Sequence, residues 1–160
     1  AERVCFCSGG ERRQDSVRMG LEEAGEAGWV LIHDGARPFV TAALIARGLE
    51  AARATGAAVP GLPPVDTVKL VSPAGLVERT LPRHTLRAIQ TPQVFRLELI
   101  RRAHRQLAES GEFTDDAALL EALGLAVAVF PGEPNNLKVT TPADLHWAEI
   151  LWSTQDRERR

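Results

Sequence analysis

The run Trp29-Val30-Leu31-Ile32, followed at once by His33-Asp34-Gly35-Ala36-Arg37-Pro38-Phe39, limits what this chain can fold into more than any other stretch. Four consecutive apolar residues read as a short strand buried on both faces, as in the middle of a parallel sheet. The strand stops in a turn carrying one carboxylate, two small residues, one guanidinium and a proline. In open α/β sheets, ligands sit just beyond the carboxyl ends of the strands. Asp34 would offer hard oxygens to a metal there, and Arg37 a planar fork of donors to a phosphate. Gly35 and Ala36 leave room for a ligand to approach the main chain. A helix-entry turn with a surface Asp–Arg pair would use the same residues, so the rest of the chain has to decide.

Taken in order, the chain alternates strands and helices. Val4 to Ser8 reads as a strand, Gly9-Gly10 as a tight turn, and Asp15 or Ser16 as the cap of a helix carrying Val17, Met19, Leu21 and Ala24. A strand, a Gly-rich loop and a helix start form a possible anion cradle. After the organising strand, Thr41 opens a helix to about Thr55, with Ala43, Leu44, Ile45, Leu49 and Ala52 as its buried stripe. Ala57 to Leu62 reads as a further buried strand. This βαβαβ order implies parallel strands.

The pattern then changes. Asp66 to Val71 and Leu76 to Thr80, joined by Ser72-Pro73-Ala74-Gly75, read as a β-hairpin. A lone hairpin is marginally stable, so it should lean on something else. Leu86 to Gln90 reads as a strand and Leu97 to Ser110 as a helix. Thr114 is the expected N-cap of the next helix. Leu125 to Phe130 reads as a strand and Leu137 to Val139 as a short extended piece. Thr141-Pro142-Ala143-Asp144 starts the last helix, which carries Leu145, Ala148, Ile150, Leu151 and Trp152. The expected fold is α/β: a Rossmann-like, mostly parallel sheet in a single domain over residues 1–160, with a protruding hairpin arm at about 65–85.

The 160 residues suffice for one sizeable core. A formal net charge of -2 gives no nucleic-acid footprint, and no apolar run approaches the roughly 20 residues that span a bilayer. The opening residues turn polar too early for a secretory signal. Cys5 and Cys7 read as two small buried residues of a reducing compartment, which makes the cytoplasm the expected location.

Ser16, Asp34, Arg37, Thr91, Thr114 and Lys138 fall at turns on what should be one edge of the sheet, with Thr67 and Arg83 on the hairpin. No Ser/His/Asp or Cys/His arrangement accompanies them. Cations, hydroxyls and one acid suit holding phosphates and a divalent metal rather than acyl transfer. His33 reads as a packed or hydrogen-bonded histidine rather than a base, and His84, His104 and His146 as surface residues.

Six short motifs carry a resemblance: Gly-Gly-x-x-Arg-x-x-Ser-Val at Gly9 to Val17, His33 to Pro38, Asp66 to Lys69, Gln90 to Gln93, Phe113 to Asp116 and Asn136 to Thr140. Their order resembles that of the 2-C-methyl-D-erythritol 4-phosphate cytidylyltransferases over nearly the whole chain. The resemblance implies joining of CTP and methylerythritol phosphate into a CDP-sugar alcohol, with magnesium and release of pyrophosphate. It further implies a homodimer whose arms reach into the partner's site. Asp34 would lie beside the metal and Lys138 would neutralise the reacting phosphates. Gly10, Glu11, Ser16 and Gly35 would line the cytidine pocket. Arg37, Thr91 and Thr114 would hold the acceptor phosphate, and Thr67 and Arg83 would complete that pocket in the other subunit. Members of that family carry a Gly-rich loop with an arginine, then a lysine, upstream of the matched region. The expectation is therefore a truncated member with impaired turnover. Ribitol 5-phosphate cytidylyltransferases share much of this motif order, and a non-catalytic dimerising or ligand-binding remnant is a different class of reading.

Overall fold

The computed structural model describes residues 4–158. Its elements run α1 (Arg13–Glu23), β1 (Trp29–Ile32), α2 (Ala42–Ala52), β2 (Ala57–Leu62), β3 (Lys69–Val71), β4 (Val77–Thr80), a 3-10 turn (Arg83–Thr85), β5 (Ala88–Ile89), β6 (Gln93–Arg96), α3 (Leu97–Gln106), α4 (Asp116–Ala122), β7 (Ala128–Pro131) and α5 (Pro142–Glu158).

Five of these strands form one sheet. β2 lies at its centre, with β7 parallel on one side and β6 and β5 antiparallel on the other. β6 in turn pairs antiparallel with β1. Thus β1, β2 and β7 share one direction. The crossover through α2 skips a position between β1 and β2, and β6 fills it from the opposite direction. The carboxyl ends of the three like-directed strands and the start of β6 therefore meet at the same edge.

Side chains alternate across this sheet as a two-residue period demands. Ala57 and Val59 of β2, with Phe95 of β6, face a core completed by Leu21, Leu97, Ile100, Ala103, Leu119 and Leu120. Ala58 and Val94 face the other way, onto Leu44, Ala52 and Phe130. Helices α1, α3 and α4 thus cover one face and α2 the other, which is the layered plan of an α/β domain. Strands β3 and β4 form a separate two-stranded sheet, the arm, with a register shift between Leu70 and Val71.

Several expectations change. Val4 to Ser8 forms no strand: no described strand runs beside it to complete a ladder, and Val4 and Phe6 are exposed. Cys5 and Cys7 are accordingly free and exposed rather than buried. β1 is half-buried, because only β6 pairs with it. In α2 the buried stripe is Leu44, Gly48 and Ala52, with Ala43 outside it. His104 is buried in α3 instead of lying at the surface. Asp115, not Thr114, caps α4: its carboxylate accepts from Ala118 N–H at 2.9 Å and from Gln93 Nε2 at 2.7 Å. A charged oxygen answers the helix amides better than a hydroxyl. Of the apolar residues expected to face inward from α5, only Ala148 is fully buried, while Leu145, Ile150 and Trp152 stay exposed.

Gly48 lets α2 approach the sheet. A Cβ there would stand 2.8 Å from Val94 Cγ2 and 3.0 Å from Phe130 Cζ. Overpacking of this kind costs about 1–3 kcal/mol, against a gain of up to ~1 kcal/mol in helix propensity. Gly48→Ala should lower the urea midpoint, whereas Gly20→Ala in α1, where a Cβ meets nothing within 4 Å, should raise it. Equal midpoints for the two variants would show that Val94 and Phe130 give way freely.

Candidate active site

Three loops meet beyond the carboxyl end of β1. The first is the turn His33–Arg37, closed by Arg37 N–H donating to Asp34 O at 3.0 Å. The second is Gln90–Pro92, the interruption between β5 and β6, which includes a cis Thr91–Pro92 peptide. The third runs from Gly132 to Val139, after β7. Asn136, fully buried, joins them. Its Nδ2 donates to Thr91 O at 2.8 Å, and its carbonyl accepts from Arg37 Nη1 at 2.8 Å and from Gln90 Nε2 at 3.2 Å. Val139 N–H donates to Ala36 O at 2.8 Å, so the third loop runs beside the first as an extended segment.

That pairing brings Lys138 onto Asp34: Nζ stands 3.0 Å from Oδ2. Arg37 Nε lies 3.6 Å from the same oxygen. The lysine side chain is 48% exposed, against 18% for Asp34 and 11% for Arg37. The cluster thus has a half-exposed cation on its open side and a nearly covered one underneath. Burial holds the Arg37 guanidinium below its ordinary value, with Asp34 opposing that effect.

The loop before α1 carries a second group of the expected site residues. Gly10 N–H donates to Ser16 Oγ at 3.0 Å, and Ser16 Oγ donates to Arg12 O at 3.3 Å. A Cβ on Gly10 would collide with Asp15 Cβ at 2.3 Å, so only glycine fits there. Glu11 is exposed beside it. Arg13 Nη2 then reaches Asp116 Oδ2 at 2.6 Å, while His104 Nε2 stands 3.4 Å from Oδ1. Burial favours the neutral Asp116 carboxyl, but the contacts from His104 and Arg13 outweigh it and hold the group below the usual carboxylate range. This bridge ties the Gly9–Arg13 loop to the start of α4, and Arg13 also feels the charge of Asp34.

The structure therefore brings Asp34, Gly35, Arg37, Thr91 and Lys138 together. It links Gly10, Glu11 and Ser16 to the Thr114 loop through Arg13 and Asp116. Thr114 itself is exposed just ahead of the cap. Thr67 and Arg83 lie exposed on the arm, with Arg83 donating to Val65 O. Thr91 differs from the expectation of a hydroxyl facing a phosphate. It is buried, accepts from Asp34 N–H at 3.0 Å and lies 3.0 Å from His33 Nδ1. Sequence reasoning missed Arg13, Asn136 and Asp116 as builders of the site. Their only signal was membership of motifs, because their partners lie far away in the chain.

Fold and site together define an α/β domain with a cation-rich cluster of loops at the edge where its parallel strands end. A model of the IspD family, 2-C-methyl-D-erythritol 4-phosphate cytidylyltransferase, matches residues 1–154. The chain belongs to that family. It is 54% identical over 148 residues to the 2-C-methyl-D-erythritol 4-phosphate cytidylyltransferase of Dehalococcoides mccartyi strain 195, covering 92% of this chain and 64% of that protein. It is 50% identical over 149 residues to the bifunctional enzyme IspD/IspF of Desulforudis audaxviator, covering 92% of this chain and 38% of that protein. The crystal structure of the 2-C-methyl-D-erythritol 4-phosphate cytidylyltransferase from Thermus thermophilus matches with a TM-score of 0.83 at 44% identity, over 94% of this chain and 76% of that one. The chain thus spans less than two thirds of the Dehalococcoides relative's length.

Beyond Val139 the third loop is pinned to α5. Asp144 accepts from Thr140 N–H at 3.0 Å and from Thr141 N–H at 2.8 Å, and its own N–H donates to Thr141 Oγ1 at 3.2 Å. These bonds, led by that from Thr140 N–H, lower the carboxyl from 3.8 to about 2. A carboxyl depressed in the folded state adds stability that is complete above 3.8 and is lost as pH falls through about 2. Proteolysis at the start of α5 should accelerate across that window. Asp144→Asn should be cut faster at neutral pH and show no such acid step; an identical step in that variant would refute the assignment.

Proposed function

We propose that the whole protein transfers the cytidylyl group of CTP to 2-C-methyl-D-erythritol 4-phosphate, releasing pyrophosphate; its relatives are named as cytidylyltransferases of that acceptor. The observation that carries this is Lys138 and Arg37 converging on the single carboxylate of Asp34, at the strand-end edge of a member of this family. Nucleotidyl transfer needs alignment and neutralisation of developing charge more than covalent help.

The reading gives the site residues the roles that the family resemblance implies. Gly10, Glu11, Ser16 and Gly35 form the nucleotide side. At Gly35 a Cβ would meet nothing within 4 Å, so no neighbour in the chain demands glycine, and the open space suits a ligand lying against the main chain. Arg37 and Thr114 serve the acceptor phosphate. Lys138, the exposed cation of the pair, is free to leave Asp34 for the phosphates, while Arg37 stays beneath.

Among the described residues no group of three or more His, Cys, Asp and Glu side chains could hold a metal. Asp34 is a single carboxylate already faced by Lys138 and Arg37, so it fits magnesium only together with bound phosphates, where the ion keeps waters and takes phosphate oxygens rather than an all-protein cage. Asp34 would hold it, and the ion would neutralise phosphate charge.

The arm extends this reading to a homodimer. Among the described residues neither Thr67 nor Arg83 is hydrogen-bonded or ion-paired to the Asp34 turn, Arg83 donating to Val65 O instead, and Leu70, Val71, Leu76 and Val77 are exposed on the hairpin. A partner surface that buried them would bring Thr67 and Arg83 to the other subunit's acceptor phosphate. No helix among the described residues is long and apolar enough to cross a membrane, and exposed free thiols suit a reducing compartment, so the reading includes a cytoplasmic location.

The test is pyrophosphate release from CTP by the protein with methylerythritol phosphate, and with ribitol 5-phosphate as the competing acceptor. The first acceptor should be strongly preferred. Asp34→Asn and Lys138→Ala should each lower turnover by about 10²–10³-fold, the scale set by removing one preorganised charge contact. Full activity in either variant would overturn the assignment, and preference for ribitol phosphate would change the acceptor.

A further inference from the structure

His33 touches the site through both ring nitrogens, and the chemistry of its partners decides which nitrogen carries the proton. Nε2 lies 2.9 Å from Arg37 O. A carbonyl only accepts, so Nε2 must be the N–H. In the neutral ring Nδ1 is then an acceptor. The group facing it at 3.0 Å is Thr91 Oγ1, which must spend its single proton there. The threonine oxygen keeps its lone pairs for Asp34 N–H, also at 3.0 Å. The opposite tautomer would set a lone pair against the Arg37 carbonyl and break the sequence of bonds.

We propose that His33 is a positioning residue, held in the Nε2–H tautomer, that fixes the direction of a hydrogen-bond chain running from the Asp34 amide through the Thr91 hydroxyl to the Arg37 carbonyl. Each end of the chain is the main chain of a functional residue. The amide of Asp34 and the carbonyl of Arg37 are thereby held in place, and the side chains leaving those two residues are aimed into the pocket. Thr91 has no proton left for a phosphate and is only 6% exposed. It can still accept from a donor, but its link to the Asp34 amide is the contact the structure shows. The catalytic consequence rests on the cytidylyltransferase reading, whereas the tautomer does not.

Two measurements separate these claims. Nitrogen-15 spectra of the imidazoles, with His33 assigned by its loss in His33→Gln, should show Nε2 protonated and Nδ1 bare. In Thr91→Val, Nδ1 should lose the signature of an accepted hydrogen bond. A protonated Nδ1 with a bare Nε2 in the parent protein overturns the proposal whatever the activity. Kinetically, Thr91→Val and His33→Asn should each lower kcat by about 10–100-fold, the range for residues that orient a reacting group, with KM for CTP little changed. Thr91→Ser should recover most of what Thr91→Val loses. Combining Thr91→Val with His33→Asn should cost little more than either change alone, since both break one chain. Additive losses, or a Thr91→Val protein with parental kcat, would overturn the positioning role. Absence of turnover in the parent would overturn the functional reading instead and leave the spectra to decide the tautomer.

Discussion

The contacts of Asn136 with two separate loops are the constraint on which the pocket depends. The β1–β6 ladder, ending at Ile32 and Gln93, sets the turn after β1 beside the break between β5 and β6, and the segment after β7 is fastened to both through Asn136. Asn136 takes the place of a ladder, donating to Thr91 and accepting from Arg37 and Gln90 through its carbonyl. Such a bond is worth only about 1 kcal/mol net, but leaving its partner buried and unpaired costs about 1–3 kcal/mol. Breaking these bonds would leave the Asn136 amide and the Gln90 side chain buried without partners, which disfavours separating the loops. Gln90 supports the same junction, accepting from Glu133 N–H and donating to Glu133 O.

On this frame the charges sort by depth. Arg37 is nearly covered, Asp34 partly so, and Lys138 half open. An ion pair as exposed as Lys138–Asp34 adds little to stability, so its geometry matters more for what the lysine can leave than for what it holds. The Arg13–Asp116 bridge is the contrary case. Its carboxylate is 1% exposed, and removal of the arginine would leave a buried charge with only a more distant histidine beside it. One pair is suited to change partners during a reaction and the other to stay put.

Much of this was legible in the sequence. The strand Ala57–Leu62 declares itself through an unbroken apolar run, and the turn at His33–Pro38 through an acid and an arginine crowded next to small residues. The convergence of Asp34 with Lys138 followed from assigning both to strand ends on one edge. What stayed hidden has a common cause, namely partners remote in the chain. Thr91 offers a hydroxyl that any reader would give to a phosphate, and only its neighbours His33 and the Asp34 amide show it to be fully engaged. Thr114 carries good capping chemistry, but Asp115 takes the cap because Gln93, from another element, steadies that carboxylate. Val4 to Ser8 has the composition of a strand, yet composition supplies no neighbouring ladder. His104 looked like a surface residue because its buried carboxylate partner, Asp116, lies on a different helix.

The arm has a physical consequence of its own. Among the described residues strands β3 and β4 pair only with each other, and the chain enters the hairpin after Pro63-Pro64 and leaves it at a 3-10 turn. Its amides can open and exchange with solvent hydrogen while the five-stranded sheet stays closed. Opening of the hairpin therefore need not draw on the stability of the sheet that carries it.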